Sequence, residues 1–161
     1  HLPAYLRDGT LNRDRWQWRF NFESKRQSMT RGYFRMISGV DRAVARIRRR
    51  LEALGQAQNT VIVFTSDNGY FLGERGYAGK WLPHEPSIRV PLLIFDPRPA
   101  GAMAAGLRDE MVLNIDLAPT FLDLAGVPAP AHYQGRSLLP LWRGETPMPW
   151  RDHIFIEHLM E

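Results

Sequence analysis

From Met29 onward the apolar positions fall three and four residues apart, at Tyr33, Met36, Ile37, Val40, Val44, Ile47, Leu51 and Leu54. That spacing puts them on one stripe of a long helix facing a core, ended by Gly55 at the C′ position. Ahead of it the period is two. Trp16, Trp18, Phe20 and Phe22 alternate with Gln17, Arg19 and Asn21, which predicts an extended lead-in over residues 1–28 lying on something apolar. Beyond the helix, Thr60 to Thr65 is β-branched and aromatic without alternation, the pattern of a strand buried on both faces of a parallel sheet. Pro91 to Phe95 reads as a second such strand, Met111 to Ile115 as a short third and His153 to Ile156 as a last one. Asp116 is placed to cap a helix running to Gly126, with Pro119 in its first turn. A turn at Gly135-Arg136-Ser137 leads into a short helix through Leu141.

Helix, strand, strand, helix, strand is α/β order. A parallel sheet of three or four strands would leave both edges open, and the apolar lead-in would have no partner. The expectation is therefore a single partial domain over 1–161, part of a larger sheet.

Composition narrows the class. With 44% hydrophobic residues, five Trp and eight Phe the chain is globular in type. Its apolar runs are too short to span a bilayer as helices, so no membrane partner is expected. The absence of cysteine excludes disulfides and thiolate metal sites. The net charge of +4 is unevenly spread: residues 1–50 hold 13 Lys and Arg against 4 Asp and Glu, and residues 51–161 hold 8 against 13. Arg46, Arg48, Arg49 and Arg50 lie on the predicted helix without interleaved aromatics, which reads as a solvated face and not as a nucleic-acid groove.

The chemistry concentrates at the end of the first strand. Asp67-Asn68-Gly69 follows the apolar run directly, glycines stand at 69, 73, 76 and 79, and Lys80 comes thirteen residues after Asp67. Asp67 and Asn68 are hard oxygen donors, suited to Ca²⁺ or Mg²⁺ more than to zinc or copper, although calcium wants six to eight ligands. Lys80 would serve an anion. An Asx-Gly turn and an exposed lysine explain the same residues without any chemistry.

The run SDNGYFLGERGYAGKW, continued by HEPSIRVPLLIFDPR, resembles the C-terminal half of the catalytic domain of type I sulfatases, in the alkaline phosphatase superfamily. YFRMISGVDRAVARIRRRLEALG, NIDLAPTFLDLAGVPAP, QGRSLLPLWRG and WRDHIFIE extend the resemblance over about residues 29–157, in order. It implies an α/β fold that is part of an alkaline-phosphatase-like, mostly parallel sheet flanked by helices. It implies hydrolysis of a sulfate ester, either a small molecule or a sulfated sugar. By the same resemblance Asp67 and Asn68 bind calcium, with magnesium as the substitute. Lys80 contacts the sulfate and steadies the leaving oxygen, while His84 and Glu85 stand at positions from which to line the substrate pocket, with a packing or surface role as the other reading of His84. Arg89, Asp41 and the Gly135-Arg136-Ser137 turn are expected to be structural. Asn68 in place of a histidine favours single-calcium sulfatases over two-metal phosphatases.

The departures are as specific. The family's formylglycine is made from the first residue of a Cys/Ser-x-Pro-x-Arg motif, and no serine here begins one. The acidic pair that completes the calcium site is also unmatched. Both are expected in an N-terminal half outside this chain, and the 161 residues alone are expected to be inactive. Two alternatives share the evidence: a phosphonate monoester or phosphodiester hydrolase of the same superfamily, and a non-catalytic module that binds anions.

Overall fold

The computed structural model describes residues 11–98, 106–145 and 149–157. They form two compact units, one running up to Phe95 and the other spanning Asp96–Glu157.

In the first unit the segment expected to be extended is a helix, α1 (Leu11–Phe20). Residues 1–10 of the expected lead-in lie outside the described residues. The alternating aromatics misled because two of them sit four apart on one helical face. Trp16 and Phe20 both reach the loop backbone at Gly73, where an added Cβ would stand 3.7 Å from each side chain. Trp18 and Phe22 are exposed. The chain kinks at Phe22 and re-enters a helix, α2 (Glu23–Ala53), 31 residues long. Its end is a Schellman motif: Gly55 takes φ +66°, its N–H bonds Glu52 O, and Gln56 N–H bonds Leu51 O at 2.9 Å. The predicted period is present, yet no residue of α2 is buried among the described residues, and Met36, Ile37, Val40 and Ile47 face outward.

Strands β1 (Ile62–Thr65) and β4 (Leu92–Phe95) pair with Ile62 opposite Phe95 and Thr65 opposite Leu92. This ladder is antiparallel, where the unbroken apolar composition had suggested a parallel pair. Composition reports burial, whereas direction is set by the connection. A parallel return needs a long crossover, usually a helix laid over the sheet. Residues 66–91 instead form a loop-rich excursion containing β2 (Phe71–Leu72), β3 (Ala78–Gly79) and the one-turn helix α3 (Glu85–Ile88). β2 and β3 pair antiparallel, Phe71 opposite Gly79. Under α1, Phe20, Phe71, Tyr77 and Ala78 form the buried core of this unit. Arg13 lies over the Tyr77 ring at 5.1 Å, and Arg19 Nη1 donates to Tyr70 Oη at 2.9 Å, so α1 is fastened along the excursion.

The second unit is organised by a buried carboxylate. Helix α4 (Leu117–Leu124) begins where expected and ends at Gly126, φ +70°. Asp116 occupies its N-cap position, but its side chain does not cap it. Asp116 Oδ2 accepts the Leu113 N–H at 2.7 Å, Oδ1 accepts the Arg136 N–H at 2.8 Å, and the Arg151 guanidinium grips both oxygens. Thr120 Oγ1 accepts the Leu138 N–H at 2.9 Å, which seats the short helix α5 (Leu139–Trp142) against α4. Leu138, Leu139 and Leu141 are buried here, with Pro119 of α4. The Gly135-Arg136-Ser137 turn is structural, as expected. A Cβ on Gly135 would fall 2.0 Å from Ile115 O, so only glycine lets the two backbones meet. The strands expected at Met111–Ile115 and His153–Ile156 are absent: the first ends in a 3₁₀ turn at Asn114–Asp116 and the second has no regular structure. In the first of these the Met111 carbonyl accepts from the side chains Trp150 Nε1 and Arg151 Nη1 and not from a strand backbone. Among the described residues no helix is long and apolar enough to cross a membrane.

Candidate functional site

β1 ends at Thr65, and the next four residues fold back on themselves. Ser66 Oγ donates to Asn68 O at 2.8 Å, and Asn68 Nδ2 donates to Gly69 O at 2.7 Å. These bonds turn the Asn68 carbonyl oxygen away from its own backbone. The turn is then pinned to α3, because Gly69 N–H donates to Ser87 O at 2.8 Å. The approach is so close that a Cβ at position 69 would stand 2.2 Å from Pro86 O and 2.9 Å from Pro86 C. Neither contact is with a flexible side chain. Gly69→Ala is therefore expected to cost about 1–3 kcal/mol, the usual range for overpacking, and to separate the Asn68 turn from α3. Thermal unfolding checks it; a wild-type melting temperature would show that α3 gives way freely.

Lys80 arrives from β3. Its backbone is bracketed by two left-handed residues, Gly79 at φ +104° and Trp81 at φ +88°. Its ammonium donates to Asn68 Oδ1 at 2.6 Å and lies 3.9 Å from Asp67 Oδ2. Three residues singled out by the sequence, twelve and thirteen positions apart, thus meet at one strand end. Asp67 is strongly exposed (84%) and Lys80 partly so (39%), so a ligand in solution can reach both.

The other predicted residues stand differently. His84 is half-buried at the head of α3, edge-on to the Phe71 ring with centroids 6.1 Å apart, and makes no hydrogen bond or ion pair to the Asp67-Asn68-Lys80 group. Arg89 is exposed and pairs with Glu85 at 3.5 Å, one turn back on the same helix. Asp41 lies exposed on α2. Sequence reasoning missed Asn12, Arg15 and Ser87. Asn12 Nδ2 donates to Lys80 O at 2.9 Å, Arg15 stacks over Trp81 at 3.8 Å, and Ser87 Oγ accepts the Trp81 N–H at 3.0 Å. A helical reading of 11–20 would have placed Asn12, Arg15, Trp16, Arg19 and Phe20 on one face and so signalled a docked helix.

As a cation site the pair is of the right chemistry but incomplete. Asp67 offers a carboxylate and Asn68 a neutral carbonyl oxygen, both hard donors. The Asn68 oxygen has two acceptor positions, so the lysine bond leaves one for another partner. Among the described residues there is no cluster of three or more His, Cys, Asp or Glu that could enclose a metal. The residues fit two ligands of a hard cation and no more.

Residues 73–160, more than half of the chain, match the family model of the N-sulphoglucosamine sulphohydrolase C-terminal region. An extracellular sulfatase SULF-1 homolog of Drosophila melanogaster is 43% identical over 98% of this chain and 15% of its own length. The chain belongs to the sulfatase family. Solved structures agree with the fold of the alkaline phosphatase superfamily. A protein in complex with its substrate D-glucosamine-2-N,6-O-disulfate superposes with TM-score 0.76 at 38% identity, over 85% of this chain and 28% of that one. A phosphonate monoester hydrolase from Silicibacter pomeroyi superposes with TM-score 0.75 at 33% identity, over 81% and 25%. This sulfatase-family chain thus spans between about a seventh and three tenths of the proteins it resembles. The match to the C-terminal family model agrees with the resemblance drawn from the central loop, and the antiparallel β1–β4 ladder is one part of that larger fold.

Proposed function

We propose that the chain is part of the catalytic domain of a sulfuric ester hydrolase acting on a sulfated sugar or another small sulfate ester. The observation that supports this most directly is the Lys80 ammonium 2.6 Å from Asn68 Oδ1 beside the Asp67 carboxylate, all three reachable from solvent. A sulfate ester needs positive charge on its non-bridging oxygens and at the oxygen that departs. As the S–O bond breaks, negative charge grows on the bridging oxygen, and a preorganised ammonium stabilises it more than the ground state. Lys80 has that role here. Asp67 and Asn68 would hold a Ca²⁺ or Mg²⁺ ion, which would supply Lewis-acid polarisation of the sulfate. His84, at the head of the helix that pins the Asn68 turn, borders the substrate. The nucleophile, formylglycine by the resemblance, and the remaining metal ligands come from outside these 161 residues.

The proposal is tested with the protein in a form that turns over sulfate esters, assayed against a glucosamine 6-sulfate, an aryl sulfate and a phosphonate monoester. Preference for the sulfate esters is the expected result. The likeness to a phosphonate monoester hydrolase at 33% identity supports a second reading, and preference for the phosphonate would establish that one instead. Chelation should abolish turnover and added calcium restore it. Asp67→Ala should raise the calcium needed for half-maximal activity by about tenfold or more, since affinity tracks the number of charged ligands. Turnover indifferent to both chelation and Asp67→Ala would sink the metal assignment.

A further inference from the structure

Lys80 is held by more than its side chain. Asn12, on α1, is almost wholly buried (3% exposed), and its Nδ2 donates to the Lys80 carbonyl oxygen at 2.9 Å across 68 residues of sequence. The other end of the same amide, Oδ1, is buried without a hydrogen-bond partner among the described residues. A buried amide left half satisfied is costly, and such a group in a folded protein calls for a reason. The next residue supplies a second oddity. Trp81 is not glycine yet sits at φ +88°, a conformation that persists only where the surroundings over-determine it. Those surroundings are Ser87 Oγ, which accepts the Trp81 N–H at 3.0 Å, and the Arg15 guanidinium, stacked 3.8 Å above the Trp81 ring. Gly79, on the other side of Lys80, is equally enclosed: a Cβ there would lie 3.3 Å from Arg15 Nη1 and 3.5 Å from Asn12 Oδ1.

From this geometry we infer that α1 is a positioning element for the reaction, with Asn12 and Arg15 holding the strained Gly79-Lys80-Trp81 corner so that the Lys80 ammonium is aimed at the Asp67-Asn68 turn. Asn12 fixes the backbone carbonyl of the lysine itself. Arg15 fixes the residue after it, and Ser87 ties the same corner to the helix that pins Gly69. The lysine and the turn are therefore referenced to one frame. A flexible lysine between two glycine-like residues would otherwise sample many directions. The inference rests on the reading of Lys80 as the residue that serves the departing oxygen.

The experiment compares Asn12→Leu and Arg15→Met with the parent in a form that hydrolyses sulfate esters, each with and without Lys80→Ala. Two substrates are used: glucosamine 6-sulfate, whose alcohol is a poor leaving group, and 4-nitrophenyl sulfate, whose phenol is a good one. Asn12→Leu should lower kcat on the sugar sulfate by about tenfold, as loss of one well-placed hydrogen bond would, with KM nearly unchanged. The loss on the aryl sulfate should be smaller, because its departing oxygen needs less help. In the Lys80→Ala background Asn12→Leu should cause no further loss, since residues acting as a unit are not additive. Arg15→Met should show the same signature more weakly and guards against a misfolded Asn12 variant. Amide exchange of peptides covering residues 78–82 should speed up in both variants while the rest of the protein is unchanged. Equal losses on the two substrates, additivity with Lys80→Ala, or unchanged exchange at 78–82 would each overturn the inference while leaving Lys80 in place. A fully active Lys80→Ala protein would remove the reading of Lys80, and this inference with it.

Discussion

Replacing Lys80 with alanine is expected to lower kcat on a sugar sulfate by about 10²–10³-fold, the loss seen when one preorganised donor to a developing oxyanion is removed. The ammonium sits 2.6 Å from Asn68 Oδ1 in a corner whose backbone is held by Asn12 and Ser87. The effect should fall on kcat more than on KM, because the charge it answers appears only as the bond breaks. Lys80→Arg keeps the charge but exchanges a compact ammonium for a wide planar fork, and should recover only part of the activity. Lys80 is 39% exposed and anchors no core, so the melting temperature should barely change. Initial rates together with thermal unfolding separate the two quantities. Near-parental kcat in Lys80→Ala would show that the departing oxygen is served by another group.

The largest stability effect is expected at Asp116, in the second unit. Its carboxylate is fully buried, and its partner Arg151 has a side chain only 11% exposed. Asp116→Ala strands that guanidinium and two backbone N–H groups, and breaking a buried pair in this way typically costs about 3–5 kcal/mol. Asp116→Ala with Arg151→Leu should be less destabilised than Asp116→Ala alone, since no uncompensated charge remains. The pair also carries a pH dependence. Burial by itself would raise the Asp116 carboxyl, but the bonds from Arg151, Arg136 N–H and Leu113 N–H outweigh it and hold the group below its ordinary value. A carboxyl depressed in the folded state contributes stability above its unfolded pKa, about 4, and loses it as pH falls further through the folded value. Urea midpoints should therefore drop on acidification below about pH 4. The slope should be shallower in Asp116→Asn, which isolates this group from Asp96, also held low by Arg98. Identical slopes in the two proteins would place the acid sensitivity elsewhere.

What could be read from the chain alone was whatever is encoded by near neighbours. The period of α2 and its stop at Gly55, the start of α4 after Asp116, the turn at Gly135 and the short helix after it all follow from residues within a few positions of each other. So does the order of motifs whose resemblance pointed to the family and to Asp67, Asn68 and Lys80 as the proposed site. The apolar stripe of α2 was legible too, although the described residues cover it only in part, with Tyr33 stacked on Tyr70 and Val44 and Leu51 half-buried.

Other features depended on pairings the linear pattern does not contain. The direction of β4 beside β1 was set by a loop-rich excursion that offers no crossover helix, while the strand composition was the same for either direction. The segment 11–20 took a helix because Trp16 and Phe20, four apart, dock on the glycine-rich loop, and that docking outweighed a period-two pattern that was accidental. Asp116 turned from a helix cap into a hub because Arg136 and Arg151, 20 and 35 residues later, reach it. Asn12 came to hold Lys80 from 68 residues away. Short runs of sequence, through their resemblance to a known family, pointed to the sulfatases and to Lys80 as the group proposed to act. Contacts between distant segments, which carry no local signature, decided where the Lys80 backbone is held.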